Sequence, residues 1–257
     1  MQSNKILMFD LERGSKTLGS EKSIQELFGF PVLAPSSFND FTDIVKQLYT
    51  SQTREIEKDV GGLKIRERRT DTVLKNGIKV DALILDTFSE LSKKYMRSLC
   101  DKNGRMQMQD WGKLKNKLDM LLEYLTKIPG VVIMNCHSKF KDMSDGTSKV
   151  LPYIDGSTKE DISKWFDFVF YTKTINEPDG SERYVWRTRH NDMYEHAKDR
   201  TNTLDAEIPQ DYTLVLNAAK EKGYDGCKIL VIGSPGTGKT MSTKTLVSNN
   251  KTNTETT

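Results

Sequence analysis

The sequence predicts an α/β fold in which a mostly parallel central sheet is flanked by helices and carries an antiparallel hairpin at one edge. Short apolar runs, which are typical of buried parallel strands, alternate with longer amphipathic segments. Several of these runs end in polar or charged residues, as strands do at the ligand-binding edge of an open α/β sheet. One run leads into a glycine-rich loop at residues 233–240.

The glycine-rich loop reads Gly233, Ser234, Pro235, Gly236, Thr237, Gly238, Lys239 and Thr240. It fits the pattern G-x-x-x-x-G-K-[ST], in which backbone N–H groups surround a phosphate, the lysine reaches the β and γ oxygens and the final hydroxyl holds Mg²⁺. An apolar run at 228–232 predicts a strand before the loop, and residues 241–247 predict a helix after it. We therefore expect the loop and Met241 to bind the phosphates of ATP.

Two further apolar runs lead to carboxylates. Residues 5–9 form a short strand-like run that is followed closely by Glu12, and residues 80–86 form the most clearly buried run and end in Asp86. An apolar strand that ends in aspartate is the Walker B pattern, and its pairing with a phosphate loop makes the pattern strong. We predict that Asp86 and Thr240 hold the metal ion.

The remaining elements follow from periodicity and turn signals. Apolar residues at helical spacing predict helices at 24–28, 38–49, 89–99, 114–128, 161–165 and 212–222. Residues 131–135 predict a buried strand that leads to His137, and residues 166–173 and 183–188, around a turn at 177–180, predict the antiparallel edge hairpin. Parallel strands place Glu12, Asp86 and His137 at one edge of the sheet.

Three segments are rich in charge. Residues 54–79 predict an exposed hairpin, which is either a solvated surface or a contact with nucleic acid or a protein partner. Residues 100–111 predict a polar connection, and residues 140–156 predict a long mobile loop.

Composition sets weak limits on partners and compartment. The 39 basic and 36 acidic residues give a net charge of +3, which permits an acidic partner but does not argue for one. No apolar run approaches the roughly 18 residues that a membrane helix needs. The three cysteines lack metal-binding spacing and are typical of reduced thiols, so we expect a cytoplasmic protein without a membrane span.

Thr87 follows Asp86, whereas many P-loop ATPases have at this position the glutamate that activates water. The base must therefore come from elsewhere. Here the chain resembles the RecA-like ATPases, in which the catalytic glutamate follows the neighbouring strand in a segment similar to Phe9-Asp10-Leu11-Glu12.

The resemblance implies roles for particular residues. Glu12 would be the catalytic base, Lys239 would contact the transferred phosphate, and His137 would sense the γ-phosphate where RecA has glutamine. The histidine is expected in phage RecA-like recombination ATPases that are associated with single-strand-annealing proteins. In a segment similar to Ala197-Lys198-Asp199-Arg200, Arg200 or Lys198 would act on a neighbouring subunit. For Glu12, His137 and Arg200, an ordinary structural or surface position is the alternative.

The order of the motifs differs from that of the family, in which the phosphate loop comes first. Here Glu12, Asp86, His137 and the hairpin all precede the loop, which indicates a circular permutation. We expect a single RecA-like ATPase domain over residues 1–257, with a flexible tail at 248–257.

The resemblance also suggests partners. The segments at 101–111 and 138–149 correspond in position to the DNA-binding loops of the family. Single-stranded DNA would contact Lys102, Arg105, Lys139 and Lys141. Ordinary exposed connections are the alternative. The implied function is DNA-stimulated ATP hydrolysis in phage recombination or replication, by a ring or filament of identical subunits that is partnered by a single-strand-annealing or replication protein. A nucleotide-kinase-like phosphotransferase and a non-hydrolysing ATP-gated adaptor are the competing hypotheses.

Overall fold

The computed structural model of the chain describes residues 5–144 and 146–248, apart from the side chain of Ser248. The flexible tail predicted from residue 248 onward therefore lies outside the described residues, except for the backbone of its first residue.

The strands, in chain order, are β1 (Ile6–Asp10), β2 (Tyr49–Val60), β3 (Leu63–Leu74), β4 (Ala82–Asp86), β5 (Val131–Cys136), β6 (Ser138–Asp142), β7 (Ser148–Pro152), β8 (Phe168–Asn176), β9 (Glu182–Arg187), β10 (Lys198–Asp199), β11 (Glu207–Pro209) and β12 (Lys228–Ile232). The α-helices are α1 (Glu21–Phe28), α2 (Phe38–Leu48), α3 (Phe88–Leu99), α4 (Met108–Thr126), α5 (Thr158–Asp161), α6 (Tyr212–Glu221), α7 (Lys239–Ser242) and α8 (Thr245–Ser248). Short 3₁₀ helices span Gly14–Thr17 and Ile162–Trp165.

The central sheet has the order β1-β4-β5-β12-β8-β9-β11, with β10 paired to β8. Strands β1, β4, β5, β12 and β8 are mutually parallel, whereas β9, β10 and β11 run antiparallel to their neighbours. The predicted mixed α/β fold with a mostly parallel sheet is confirmed, and the β8–β9 hairpin lies next to the edge strand β11.

Strand β12 is the last strand of the described chain, yet it lies inside the sheet between β5 and β8. Its residues from Ile229 to Ile232 have no exposed surface, because both strand neighbours and both faces of the sheet cover them. The register pairs Ile232 with Cys136, so the residue after β12 lies beside the residue after β5. The strand that leads into the phosphate loop is therefore an integral part of the central sheet.

Alternate residues of the strands pack on opposite faces of the sheet, as strand geometry requires. On one face, residues such as Phe9 and Leu85 pack with apolar residues of α2, α3 and α4. On the other face, residues such as Met8 and Ile84 pack with α1, α6 and α8. The two helical layers bury the sheet and leave the carboxyl ends of its parallel strands open to ligands.

Side chains that accept backbone N–H bonds define where several helices begin. Ser20 caps α1, Ser37 caps α2 and Thr87 caps α3 through its Oγ1, which accepts from the N–H of Glu90. Because Thr87 directly follows β4, its cap starts α3 at the carboxyl edge of the sheet.

Strands β2 and β3 form a long two-stranded ribbon that is separate from the central sheet. Its turn is Gly61–Gly62, where both residues have positive φ values of 63° and 89°, as a tight hairpin turn requires. The exposed hairpin predicted at 54–79 exists, but the ribbon spans 49–74, so it begins and ends earlier than predicted. We refer to β2 and β3 as the ribbon.

Other predicted boundaries were wrong. The segment at 140–156 contains the hairpin β6–β7 rather than a long loop, because Val150 and Leu151 are buried and anchor the polar strands. Helix α4 already begins at Met108, inside the predicted connection at 100–111. The helix after the phosphate loop is divided into α7 and α8. Across residues 5–144 and 146–248, none of the helices is long and apolar enough to cross a membrane.

Candidate active site

A cavity of about 640 Å³ opens at the carboxyl ends of β1, β4, β5 and β12. It is lined by Glu12, Gly14, Thr17, Asp86, Thr87, His137, Tyr184, Gln210, Pro235, Gly236, Gly238, Lys239, Thr240, Met241, Ser242 and Thr245. The fold thus brings together, from distant parts of the sequence, the carboxylates, the histidine and most of the phosphate-loop residues that were predicted to share a site.

The glycine-rich loop has the backbone that the phosphate-binding pattern requires. Gly236 and Gly238 have φ values of 78° and 84°, which side-chain-bearing residues rarely adopt. A Cβ on Gly233 would lie 1.6 Å from Oγ1 of Thr172, so the start of the loop tolerates no side chain. The loop is also tied to β8, because Oγ1 of Thr172 and Oγ1 of Thr237 lie 2.7 Å apart.

Three loop residues, Gly233, Ser234 and Thr237, lie away from the lining of the cavity, and the hydroxyl groups of the last two are hydrogen-bonded elsewhere. Ser234 is hydrogen-bonded through its Oγ to Oγ of Ser138, at 3.1 Å, on the side of β6. Thr237 donates its hydroxyl to the carbonyl oxygen of Ser234, at 2.7 Å, which closes the loop on itself. These two side chains shape the loop and leave its backbone N–H groups as the groups that would meet phosphate.

Lys239 lies inside the loop and is only 6% exposed. Its Nζ donates to the carbonyl oxygens of Gly233 and Ser234 at 2.8 and 2.7 Å. Burial lowers the pKa of the ammonium group, and the nearby Asp86 and Glu12 carboxylates oppose that effect. An ammonium group has three N–H donors, so one remains for an anion in the cavity.

The buried Asp86 and Asn135 and the half-buried Thr240 form a hydrogen-bonded row. Oγ1 of Thr240 donates to Oδ2 of Asp86 at 2.5 Å, and Nδ2 of Asn135 donates to Oδ1 at 3.1 Å. Asp86 is 3% exposed and pairs in register with Asp10 on one side and Asn135 on the other. Burial raises the pKa of Asp86, and the charges of Asp10 and Glu12 add to this increase.

The oxygen atoms of this row suit a divalent cation that is also bound by a phosphate group of a ligand. A hard cation prefers carboxylate and hydroxyl oxygens, and Thr240 and Asp86 present one of each in direct contact. Gly14 leaves room here, because a Cβ at that position would lie 3.3 Å from Oγ1 of Thr240. Among the described residues, no cluster of three or more His, Cys, Asp or Glu residues forms a metal site on its own. The chemistry therefore suits Mg²⁺ bound together with a nucleotide.

Glu12 and His137 are in direct contact across the cavity. Nε2 of His137 lies 2.7 and 2.9 Å from the two carboxylate oxygens of Glu12, and Thr87 donates its hydroxyl to Oε1 at 2.7 Å. Burial acts to raise the pKa of Glu12, but the hydrogen bonds from His137 and Thr87 outweigh it, so the pKa lies below its ordinary value. The peptide bond between Asp86 and Thr87 is in the cis form.

Asp10 holds the loop that carries Glu12. Its carboxylate accepts three backbone N–H bonds, from Glu12 and Gly14 at 3.1 Å each and from Ser15 at 2.9 Å. The backbone of His137 is held as well, because its backbone N–H donates to Oγ of Ser89 at 2.8 Å. Both members of the Glu12–His137 pair are thus positioned by fixed neighbours.

Sequence reasoning assigned no role to several residues that the fold brings to the cavity or its walls. The positions of Thr87 and Asn135 could have been predicted, since each is a polar residue at or near the end of an apolar strand. The positions of Tyr184, Gln210 and Thr172 could not have been predicted, because only strand pairing brings these residues to the phosphate loop.

Arg200 does not line this cavity. Its Nη1 is 2.7 Å from Oδ1 of Asp167, and its side chain is 50% exposed. Asp167 precedes β8 and accepts the N–H of Lys228, so Arg200 lies at the amino ends of β8 and β12, opposite the phosphate loop. Lys198 donates to the carbonyl oxygens of Ser163 and Phe166, and burial lowers its pKa.

The four predicted DNA contacts are exposed and lie on two segments. Lys102 and Arg105 belong to a turn that Asp101 closes by accepting the N–H of Arg105 at 2.9 Å. Lys139 and Lys141 lie on β6, which starts directly after His137. A second cavity of about 260 Å³ there is lined by Lys139, Phe140, Lys141, Leu151, Pro152, Tyr153, Ile154, Asp155 and Lys159.

Comparison with known proteins gives one match. A family model described as an AAA domain matches residues 1–201, and the phosphate loop at 233–240 lies after the matched range. No curated protein and no solved structure matches the chain.

Proposed function

The chain belongs to the AAA domain family, which indicates a nucleotide-binding domain, and we propose that it hydrolyses ATP with the help of Mg²⁺. One observation carries this proposal. Lys239 and Thr240, from near the end of the described chain, share a cavity with Glu12 and Asp86, from its first third. A phosphate cradle, a metal-binding pair and a carboxylate base are the parts that phosphoanhydride hydrolysis needs.

The phosphate loop would hold the triphosphate. Its backbone N–H groups would surround the β-phosphate, and Lys239 would exchange one or both of its loop carbonyl partners for phosphate oxygens. Thr240 and Asp86 would hold Mg²⁺, which neutralises charge on the phosphate oxygens when it is bound.

Glu12 is the proposed base. Its pKa is lower than usual, so it is a carboxylate at neutral pH and can accept a proton from water. That water oxygen forms the new bond to the γ-phosphorus, the bond to the leaving β-phosphate oxygen breaks, and ADP departs. Thr87 fixes the orientation of Glu12, and His137, whose Nε2 contacts Glu12, would sense the γ-phosphate.

We propose further that residues 1–257 form one circularly permuted RecA-like domain. The position of β12 between β5 and β8 supports this, because a strand late in the chain completes the middle of the sheet.

We also propose that copies of the chain assemble into a ring or filament on single-stranded DNA. The assembly would act in phage recombination or replication, with a single-strand-annealing or replication protein as its partner. Among the side chains described, Lys239 is the one lysine or arginine that lines the cavity, whereas phosphoryl transfer benefits from a second positive charge. Arg200 or Lys198 of a neighbouring copy would supply it. Lys102, Arg105, Lys139 and Lys141 would contact DNA phosphates.

The test is ATP hydrolysis with and without single-stranded DNA, for the wild type and Glu12→Gln. We expect hydrolysis to fall by roughly 100- to 10,000-fold in Glu12→Gln, because the base is lost, while ATP binding is retained. Glu26→Gln, an exposed carboxylate on α1, is the matched control and should hydrolyse ATP normally.

Other outcomes identify the competing functions. Binding without any hydrolysis by the wild type would favour an ATP-gated adaptor, and transfer of phosphate to a nucleoside acceptor would favour a phosphotransferase. Mass measurement with and without ATP and Mg²⁺ tests the assembly, and a monomer under all conditions would rule out a residue acting from a neighbouring copy.

A further inference from the structure

We infer that Tyr184 and Gln210 form the nucleobase subsite of the cavity and that Gln210 selects a base with an exocyclic amino group, as adenine has. This inference rests on the proposed function, because it assumes that the phosphate loop binds a nucleotide. Both residues line the cavity, and neither takes part in the hydrogen-bonded networks around Glu12 and Asp86.

The order of strands places these residues on the far side of the phosphate loop from the catalytic groups. Glu12, Asp86 and His137 follow β1, β4 and β5, which all lie on one side of β12. Tyr184 is on β9 and Gln210 follows β11, and both strands lie on the other side of β12. A nucleotide whose γ-phosphate faces Glu12 would therefore extend its base toward Tyr184 and Gln210.

The orientation of the Gln210 amide is determined by its hydrogen bonds. Nε2 donates to two backbone carbonyl oxygens, that of Thr237 at 3.0 Å and that of Val185 at 3.3 Å. A reversed amide would place its oxygen against both carbonyls, so Oε1 is the group directed away from them. Within the described part of the chain, no hydrogen bond to Oε1 is formed.

Oε1 of Gln210 lies directly against the phosphate loop. It is 2.6 Å from the position that a Cβ on Gly238 would occupy, and Cδ1 of Tyr184 is 3.7 Å from the same position. The acceptor and the aromatic ring thus flank one glycine of the loop. A base in this corner would meet a ring to stack on and an oxygen that accepts a hydrogen bond.

Tyr184 is available for stacking. Its hydroxyl donates to Oε2 of Glu182 at 2.8 Å, which anchors the ring to its own strand. The side chain is partly exposed, at 37%, although it is aromatic and lies on a strand of the central sheet. Stacking on a ring accepts any purine, so selection must come from the polar neighbour.

An acceptor oxygen selects for an N–H donor on the base. The 6-amino group of adenine is such a donor, whereas unsubstituted purine has only a C–H group at that position. A neutral hydrogen bond of this kind changes affinity by about 5- to 10-fold. Gln210 would therefore distinguish the two bases, and Tyr184 would bind both.

The experiment compares equilibrium binding of ADP with that of purine riboside 5′-diphosphate, which lacks only the 6-amino group. We expect the wild type to prefer ADP by about 5- to 10-fold and Gln210→Met to bind both nucleotides with similar affinity. Tyr184→Ala should weaken both by roughly 10-fold and preserve the preference. Gln52→Met, an exposed glutamine on the ribbon, is the matched control and should behave like the wild type.

The ratio of the two affinities separates base selection from a structural role in the loop. If Gln210 only supports Thr237, Gln210→Met will weaken both nucleotides equally and the preference will persist, which overturns the inference. A wild type that binds both nucleotides equally well also overturns it and leaves the proposed ATP hydrolysis intact. A wild type that binds neither nucleotide contradicts the proposed function itself.

Discussion

Charged side chains are dense in two regions of the protein, the active-site cavity and the ribbon, but burial gives them different consequences. In the cavity, Asp86 is 3% exposed and Lys239 is 6% exposed, and their pKa values are shifted by burial. On the ribbon, the paired side chains of Arg68 and Glu55 are 80% and 53% exposed. Charges in the cavity can therefore store electrostatic energy for ligand binding, whereas those on the ribbon are screened by water.

The comparison shows that an unfavourable arrangement of charge marks the site. The Asp86 carboxylate is buried beside the carboxylates of Asp10 and Glu12, an arrangement that a bound cation would relieve. On the ribbon, each carboxylate that faces a cation is already neutralised, as Glu57 is by Lys64 at 2.9 Å. The predictions that follow test this difference.

The largest effect is expected from Lys239→Ala. Charge-assisted hydrogen bonds from an ammonium group to phosphate are strong, so nucleotide affinity should fall by roughly 100-fold or more. The fold should remain, because Lys239 bonds only to carbonyl oxygens of its own loop. Isothermal titration with ATP and circular dichroism measure the two effects.

Lys244→Ala is the matched control for that variant. Lys244 follows α7 and does not line the cavity, so its removal should leave ATP affinity unchanged. If Lys239→Ala were to unfold the protein, Lys239 would be a structural residue. That result would contradict the claim that buried charges in the cavity serve ligand binding.

Asp86→Asn should stabilise the nucleotide-free protein. The raised pKa means that folded Asp86 binds its proton more tightly than unfolded Asp86, so its contribution to stability is present at low pH and is lost as the pH rises. The difference in Tm between variant and wild type should therefore be near zero at acid pH and grow above the ordinary pKa of 3.8 toward neutrality. A gain of about 1 kcal/mol corresponds to roughly 2–4 °C. Calorimetry across pH, without nucleotide or metal, measures this.

Asp71→Asn at the base of the ribbon is the opposing control. Asp71 is also buried, at 6% exposed, but it accepts ion pairs from Arg54 and Arg69 at 2.9 Å each. Its substitution should lower Tm by about 2–4 °C because two cations lose their partner. Equal effects of the same sign at both positions would show that burial alone, and not the surrounding charge, determines the outcome.

The sequence predicted the parts of the site that depend on local signals. Gly233 to Thr240 carries its own pattern, and Asp86 and Glu12 follow apolar runs that form β4 and β1. Because parallel strands align their carboxyl ends, three such signals were enough to predict one shared site. The unusual order of the motifs did not prevent this prediction, because strands can be neighbours in a sheet whatever their order along the chain.

Other features could not be predicted because they depend on contacts between distant residues. Gln210 reaches the phosphate loop only because β11 pairs with β9. Strands β6 and β7 are mostly polar, and only the burial of Val150 and Leu151 distinguishes them from a loop. The hydrogen bond between Glu12 and His137 likewise required the geometry of the sheet edge.

The smallest effect is expected from Glu55→Gln on the ribbon. The Arg68–Glu55 pair has an N···O distance of 3.3 Å and is highly exposed, so its loss should change Tm by less than about 2 °C and leave ATP hydrolysis unchanged. Any small change should decrease further as ionic strength rises, because salt screens exposed charges. Calorimetry at two salt concentrations, together with the hydrolysis assay, tests this. A marked loss of hydrolysis in the presence of single-stranded DNA, without a change in Tm, would instead mean that a partner contacts the ribbon, because neither Arg68 nor Glu55 lines the cavity.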